Sequence, residues 1–139
     1  MFRNILVPTD FSDEDNHSLD IAVKLCSLDS GKVVLLHVIE IIANTTFEEF
    51  EGFYKTLEDR ASADLHEMMA PFGESQVKIE PQVTYGNRAR EILRFSEEEN
   101  VDLIVMKSHR IDVEDRAQGW GTISYKVGIL AQCPVMLVK

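Results

Sequence analysis

The chain reads as an α/β domain: a single doubly wound sheet of five strands, mostly parallel, with helices on both faces. Three observations predict this. Short continuous apolar runs, such as Asn4-Ile5-Leu6-Val7-Pro8 and Val33-Val34-Leu35-Leu36-His37-Val38-Ile39, suit strands covered on both sides. The segments between such runs carry apolar residues at steps of three and four, the spacing of one helix face. The two kinds of segment alternate from end to end, and strand–helix alternation winds into a parallel sheet. At 139 residues the chain is long enough for one real core, and no linker divides it, so residues 1–139 are expected to form one domain.

Residues 4–8 form the first expected strand, ended by Pro8, which has no N–H to give to a ladder. Ser12 is expected to cap the first helix, with Asp13, Glu14 and Asp15 in the first turn, where acids suit the helix dipole. Leu19, Ala22, Val23 and Cys26 recur at helical spacing, and Gly31 is the expected stop. Residues 33–39 make a second buried strand. A long helix is expected from about Thr46 to Met69, because Phe47, Phe50, Tyr54, Leu57, Ala61, Leu65 and Met68 fall on one face. Gly52 weakens its first half by about 1 kcal/mol relative to alanine. Pro71 and Gly73 end it. Phe47, Phe50, Phe53 and Tyr54 near its start suit a core role or a lid or contact surface.

Residues 77–85 alternate loosely around Pro81, which demotes them to an edge strand. Gly86-Asn87 makes a turn, and Asn87 caps a helix with Ala89, Ile92, Leu93 and Ser96 on one face. Glu97, Glu98 and Glu99 end that helix against its dipole. A fourth strand is expected from about Val101 to Met106. The last helix is expected from about Thr122 to Leu130, turning Ile123, Val127, Leu130 and Ala131 inward, before a final strand over residues 135–138.

An apolar share of 45% and a charged share of 27% belong to an ordinary globular domain. A net charge of -10 argues against nucleic acid and anionic membrane as partners, since both need a basic face. No apolar run reaches the length of a membrane span, and Met1-Phe2-Arg3-Asn4 enters a strand without a signal-peptide pattern. Cys26 and Cys133 sit in apolar patterns at no zinc or disulfide spacing, and are expected to be buried thiols in a reducing cytoplasm. His37, on a strand, is expected to be a buried, paired histidine. His17 and His66 stand on helices at no metal-ligand spacing, His109 in the loop is expected to be solvated, with a phosphate contact as the alternative, and no Ser–His–Asp or Cys–His arrangement supports nucleophilic hydrolysis.

Ligands of such sheets bind at the carboxyl ends of strands beside the switch point. That gathers Pro8-Thr9-Asp10, Val38-Ile39 and Lys107-Ser108 around one crevice. Leu103-Ile104-Val105-Met106 runs into Lys107-Ser108-His109-Arg110, and Gly119-Trp120-Gly121-Thr122 opens the last helix. Strand, loop and glycine-opened helix together are how α/β proteins cradle a phosphate.

Asn4-Ile5-Leu6-Val7-Pro8-Thr9-Asp10, Leu36-His37-Val38, Gly86, Asp102-Leu103-Ile104-Val105-Met106, Gly121-Thr122-Ile123 and Cys133-Pro134-Val135-Met136-Leu137-Val138 follow one another in this order. Together they make the chain resemble the universal stress protein family over essentially its whole length. The resemblance implies a parallel sheet of order 3-2-1-4-5, the adenine nucleotide alpha hydrolase-like fold. It also implies a homodimer made by pairing last strands, and a cytoplasmic stress-response role without an established catalytic reaction. Some members bind ATP through G-x-x-G, nine residues, then G-[ST]; others lack the pattern and do not. Here Lys107-Ser108-His109-Arg110 stands where G-x-x-G would be, ten residues separate Arg110 from Gly121-Thr122, and only the closing Gly-Thr survives.

The candidate nucleotide pocket therefore comprises Pro8, Thr9, Asp10, Val38, Lys107, Arg110, Gly121 and Thr122. By the resemblance, Asp10 meets the ribose or adenine end and Pro8 and Val38 line the base pocket; the plainer role for Asp10 is bonding loop N–H groups. Glycines would let backbone N–H groups approach phosphate closely. Lys107 instead either supplies a point charge to a phosphate or fills the pocket and closes it. Asp112, Glu114 and Asp115 formally cancel Lys107, Arg110 and Arg116, so the loop offers a triphosphate no surplus charge. A phosphoacceptor receiver domain is excluded, because the third strand ends in Thr84-Tyr85-Gly86 without an aspartate nucleophile.

Val135, Met136, Leu137 and Val138 form an apolar edge strand that invites its own copy across a twofold axis, unless one of the chain's helices covers it. The expected function is a non-enzymatic regulator, a homodimer with a degenerate nucleotide pocket and a regulatory protein partner. The alternative is an ATP-binding switch in which Lys107 and Thr122 hold phosphates and Asp10 holds the sugar. Slow ATP hydrolysis or phosphotransfer is disfavoured, since Asp10 is the one carboxylate this reading places in the crevice.

Overall fold

The apolar runs become strands β1 (Asn4–Pro8), β2 (Lys32–Ile39), β3 (Lys78–Tyr85), β4 (Leu103–Lys107) and β5 (Val135–Val138). Helices α1 (Glu14–Ser27), α2 (Glu51–Met69), α3 (Arg88–Glu98) and α4 (Ile123–Leu130) connect them. The structure is a computed structural model and describes residues 1–28, 30–41, 44, 46, 48–108 and 122–139. The strands pair in parallel in the order β3-β2-β1-β4-β5, with Leu6 opposite Val34 and Ile104, and Lys107 opposite Val138. This is the expected doubly wound sheet of order 3-2-1-4-5.

Side chains on a strand alternate between faces, and here both faces are dry. Ile5, Val7, Val33 and Leu35 point to one side, where they pack with Leu19, Ala22, Val23 and Cys26 of α1 and Leu65 of α2. Leu6, Val34, Leu36 and Ile104 point to the other, against Ile92 of α3 and Val127 of α4. That two-sided cover is why β1, β2 and β4 read as unbroken apolar runs. Each such side chain contributes about 1.5–3 kcal/mol of burial. β3 and β5 are the edges, and Pro81 falls on β3 opposite Leu35, where its missing N–H costs no internal ladder bond. Among the described residues no helix is long and apolar enough to cross a membrane.

Several local expectations are corrected. Ser12 does not cap α1: Asp13 occupies the N-cap without a side-chain bond, and the Ser12 hydroxyl instead receives Lys107. The long helix starts later than Thr46, after a 3-10 turn over Glu48–Phe50; Thr46 and Glu49 exchange side-chain bonds ahead of it. Tyr54, Ala61 and Leu65 are buried as expected, whereas Phe50 is exposed, and Phe47 lies outside the described residues. β4 starts at Leu103 and extends to Lys107, which places that lysine on the strand itself. Leu130, the last residue of α4, is 56% exposed instead of facing inward, and Ile129 before it is more exposed still. Cys26 is buried, but Cys133 is only half-buried, just ahead of the edge strand. Asn87 caps α3 as expected, accepting from Arg90 N at 3.0 Å.

Gly31 does more than the expected helix stop, in which its N–H donates back to Cys26 O of α1 at 3.4 Å. α1 has already ended at Ser27, and a Cβ on Gly31 would lie 2.3 Å from Arg3 O and 2.6 Å from Arg3 Cα. The glycine lets the chain cross the start of β1 so that Lys32 N can donate to Arg3 O at 2.8 Å. Gly31→Ala is therefore expected to destabilise the fold by about 1–3 kcal/mol through overpacking against backbone. At Gly52 an added methyl would meet nothing within 4 Å, so its change to alanine should gain up to about 1 kcal/mol. Urea unfolding of both variants checks this; equal shifts would contradict the close-approach account.

Candidate functional site

The loop after β1 builds the crevice. Thr9 N donates to Leu36 O at 2.8 Å, carrying the β1–β2 ladder one residue past Pro8. The chain then turns at Phe11, whose φ of 68° is left-handed and costs a non-glycine residue about 1–3 kcal/mol. Two contacts hold that turn. Phe11 N donates to Thr9 Oγ1 at 2.9 Å, and the Phe11 ring stacks on His37 with centroids 4.4 Å apart. His37 is half-buried and paired, its Nδ1 donating to Thr9 O at 2.8 Å.

The turn brings the first helical residues of α1 beneath the strand ends. Asp15 is almost fully buried there, 1% exposed. Its Oδ2 accepts from Thr9 Oγ1 at 2.7 Å and from Asp10 N at 3.0 Å, whereas its buried Oδ1 has no hydrogen-bond partner. Asp15 escaped the sequence reading, which treated it as a first-turn acid at the dipole. A signal was present: it falls in phase with Leu19, Ala22 and Cys26, putting a carboxylate on the apolar stripe.

Lys107 reaches across from the end of β4. Its Nζ donates to Asp10 Oδ1 at 2.6 Å and to the Ser12 hydroxyl, and stands 4.0 Å from Asp15 Oδ1. Asp10 also accepts from Ser12 N at 3.1 Å, so the expected loop-bonding role is present. Burial works to raise the Asp10 carboxyl, but bonds from Lys107 and Ser12 outweigh it and hold the group well below the usual carboxylate range. For Asp15 burial dominates: it pushes the carboxyl above its ordinary value, against the bonds from Thr9 and the Asp10 amide. Two neighbouring aspartates are thus driven apart.

These groups line one cavity of about 320 Å³. Leu36, Val38, Ile92 and Met106 supply apolar wall, and Asp10, Asp15, Lys107 and Thr122 the polar part. Of the sequence candidates, Pro8, Thr9, Asp10, Val38, Lys107 and Thr122 come together here. Arg110 and Gly121 lie outside the described residues. Ile39 lines a neighbouring hollow with His37 and Arg60, and Ser108 N extends the β4–β5 ladder to Val138 O at 2.8 Å. Arg88, unremarked in the sequence, enters the cavity wall from the first turn of α3, its Nε 3.9 Å from Glu40. Thr122 caps α4, accepting from Tyr125 N at 3.4 Å. Among the described residues no three or more His, Cys, Asp or Glu gather in a way that could hold a metal ion. At the sheet edge, Met136 and Leu137 of β5 are exposed, as are Ile129 and Leu130 of α4.

A family model described as the universal stress protein family matches residues 1–139. Universal stress protein YxiE of Bacillus subtilis is 30% identical, covering all of this chain and all of its own length. Universal stress protein MJ0577 of Methanocaldococcus jannaschii is 29% identical over all of this chain and 96% of its own, and its solved structure superposes with a TM-score of 0.82. A universal stress protein from Archaeoglobus fulgidus, solved in complex with dAMP, shares the fold with a TM-score of 0.65 at 20% identity, over 99% of this chain and 98% of its own.

Asp15 acts in this geometry as the acceptor for two donors of the β1–α1 loop. Asp15→Ala is expected to cost about 1–3 kcal/mol by orphaning the Thr9 hydroxyl and the Asp10 amide. Asp15→Asn keeps an amide oxygen for both and should cost clearly less. Chemical denaturation of the two variants reports the order, and a reversed order would contradict the acceptor role.

Proposed function

The chain belongs to the universal stress protein family, and from that premise we propose that it is a non-enzymatic stress-response regulator whose adenine-nucleotide pocket is degenerate. In this reading the apolar base-binding half is kept and the phosphate half is closed. One observation carries it: the Lys107 ammonium is already held by Asp10 and Ser12. A phosphate would have to share that charge with the Asp10 carboxylate already bonded to it. Arg88 offers little in its place, since Glu40 stands beside it. The Archaeoglobus fulgidus relative in complex with dAMP supports adenine-type ligands for the fold, and the apolar walls of Leu36, Val38, Ile92 and Met106 suit a planar base. Binding rather than turnover follows for Asp10, because the carboxylate that phosphoryl transfer would lend to a metal is occupied by Lys107.

The same reading gives the protein a cytoplasmic setting, a homodimer through β5 and a regulatory protein partner. The support for the dimer is an edge strand whose Met136 and Leu137 are exposed beside Ile129 and Leu130. The alternative, an ATP-dependent switch, is favoured by the placement of Thr122 and the α4 N-terminus on the cavity wall. It requires Lys107 to divide its charge between Asp10 and a phosphate.

Calorimetric titration with ATP and magnesium separates the two. The expected result is no saturable binding tighter than about 1 mM, roughly −4 kcal/mol, for the unaltered chain. Lys107→Gly is expected to tighten binding by about tenfold or more. Micromolar binding by the unaltered chain, weakened by Lys107→Gly, would establish the switch instead.

The dimer has its own test. Light scattering is expected to give a twofold mass for the unaltered chain and a single-chain mass for Met136→Asp, which places a charge on the paired edge. An unchanged mass removes the β5 interface.

A further inference from the structure

Lys107 and Asp15 each have unused hydrogen-bonding capacity, and the two unused groups face one another. An ammonium has three N–H donors. Asp10 and Ser12 take two of those on Lys107, and no acceptor among the described residues takes the third. Asp15 Oδ2 has two donors, whereas the buried Oδ1 has none. Nζ and Oδ1 stand 4.0 Å apart, too far for a hydrogen bond and close enough for one oxygen to touch both. Leaving a buried carboxylate oxygen unsatisfied is costly, so the gap favours an occupant.

We propose that this gap is a hydroxyl subsite, and that the pocket consequently takes a neutral nucleoside rather than a nucleoside triphosphate. The inference rests on the adenine-pocket reading above and deepens it by naming the ligand class. A hydroxyl donates to Asp15 Oδ1 and accepts from Lys107 Nζ at the same time. A phosphate oxygen accepts from the ammonium but meets two carboxylates, Asp10 and Asp15. An amine cation suits the carboxylate but meets the ammonium. An apolar group satisfies neither. The ligand thus needs a planar apolar body for the walls of Leu36, Val38, Ile92 and Met106, and a hydroxyl at the Asp15–Lys107 end. The cavity, about 320 Å³, sits at the small end of the range for ligand pockets, roughly 300–1,000 Å³. That size accommodates a base and sugar.

The test is a binding series by calorimetry with adenosine, its 2′-, 3′- and 5′-deoxy analogues, AMP and ATP, each without and with magnesium. Adenosine is expected to bind at least about tenfold tighter than AMP or ATP, and one deoxy analogue to lose about tenfold, the worth of one satisfied pair of bonds. Asp15→Asn is expected to abolish that discrimination. Lys107→Met, which keeps the side-chain length, is the second variant and should do the same if the aspartate change does not fold. Adenosine binding with a flat deoxy series would show that the gap holds only water; the subsite falls and the pocket reading stands. No adenosine binding, with ATP binding gained in Lys107→Gly, also removes the subsite alone. ATP binding tighter than adenosine in the unaltered chain overturns both, as does no binding of any compound to the chain or to Lys107→Gly.

Discussion

Lys107 Nζ lies between Asp10 and Ser12, where the carboxyl ends of β4 and β1 face each other at the centre of the sheet. The geometry of the crevice follows from that contact. It fixes the depth of the β1–α1 loop over the strand ends, and with the Thr9–Asp15 bond it sets where the first turn of α1 begins. Its thermodynamic weight is small: both groups are partly exposed, and such pairs contribute on the order of 0–1 kcal/mol. Its importance is positional. A cation at this point is engaged before any ligand arrives, so an incoming anion must compete with Asp10 instead of finding a free charge. The charge of the lysine is thus already shared with a carboxylate at the point where β4 ends.

The rest of the pocket is continuous with the core. Leu36, Val38, Ile92 and Met106, which wall the cavity, belong to the same apolar cluster that packs α3 and α4 onto the sheet. A wall made of core side chains is rigid, and rigidity in a binding site favours shape selection over accommodation. The polar end differs in kind. It is assembled from a left-handed turn at Phe11, a partly exposed ion pair and a buried carboxylate with one oxygen unsatisfied. The molecule thus joins a settled apolar surface to a polar end that is incomplete by one contact.

How much of this could be read from the residues depends on the range of the interaction. Strand and helix identity is local, carried by the apolar runs of β1, β2 and β4 and by the three-and-four spacing of Tyr54, Ala61 and Leu65. Strand order came through the family resemblance. Boundaries were less legible, because a cap is a competition among neighbours. Ser12 had the right chemistry for α1, but its hydroxyl was drawn to a lysine 95 residues away. Gly31 looked like punctuation and does close α1 onto Cys26 O, but it is also clearance for Arg3, a matter of what lies across the fold. The site showed the same division. The strand-end rule gathered Pro8, Thr9, Asp10, Val38 and Lys107, whereas the burial of Asp15 depended on a backbone turn at Phe11 that no propensity for phenylalanine suggests.

The two edges of the sheet are chemically unequal. β3 carries Pro81 halfway along, flanked by the charged pair Lys78 and Glu80 on its near half, so its outer row of donors is interrupted. β5 is four residues without proline or charge. A sheet with one broken and one unbroken margin can be extended from a single side. If two such margins meet across a twofold axis, the joined sheet ends on β3 at both extremities, and growth stops there. In that arrangement the placement of one proline would make pairing self-limiting, separating a closed assembly from an open-ended ribbon.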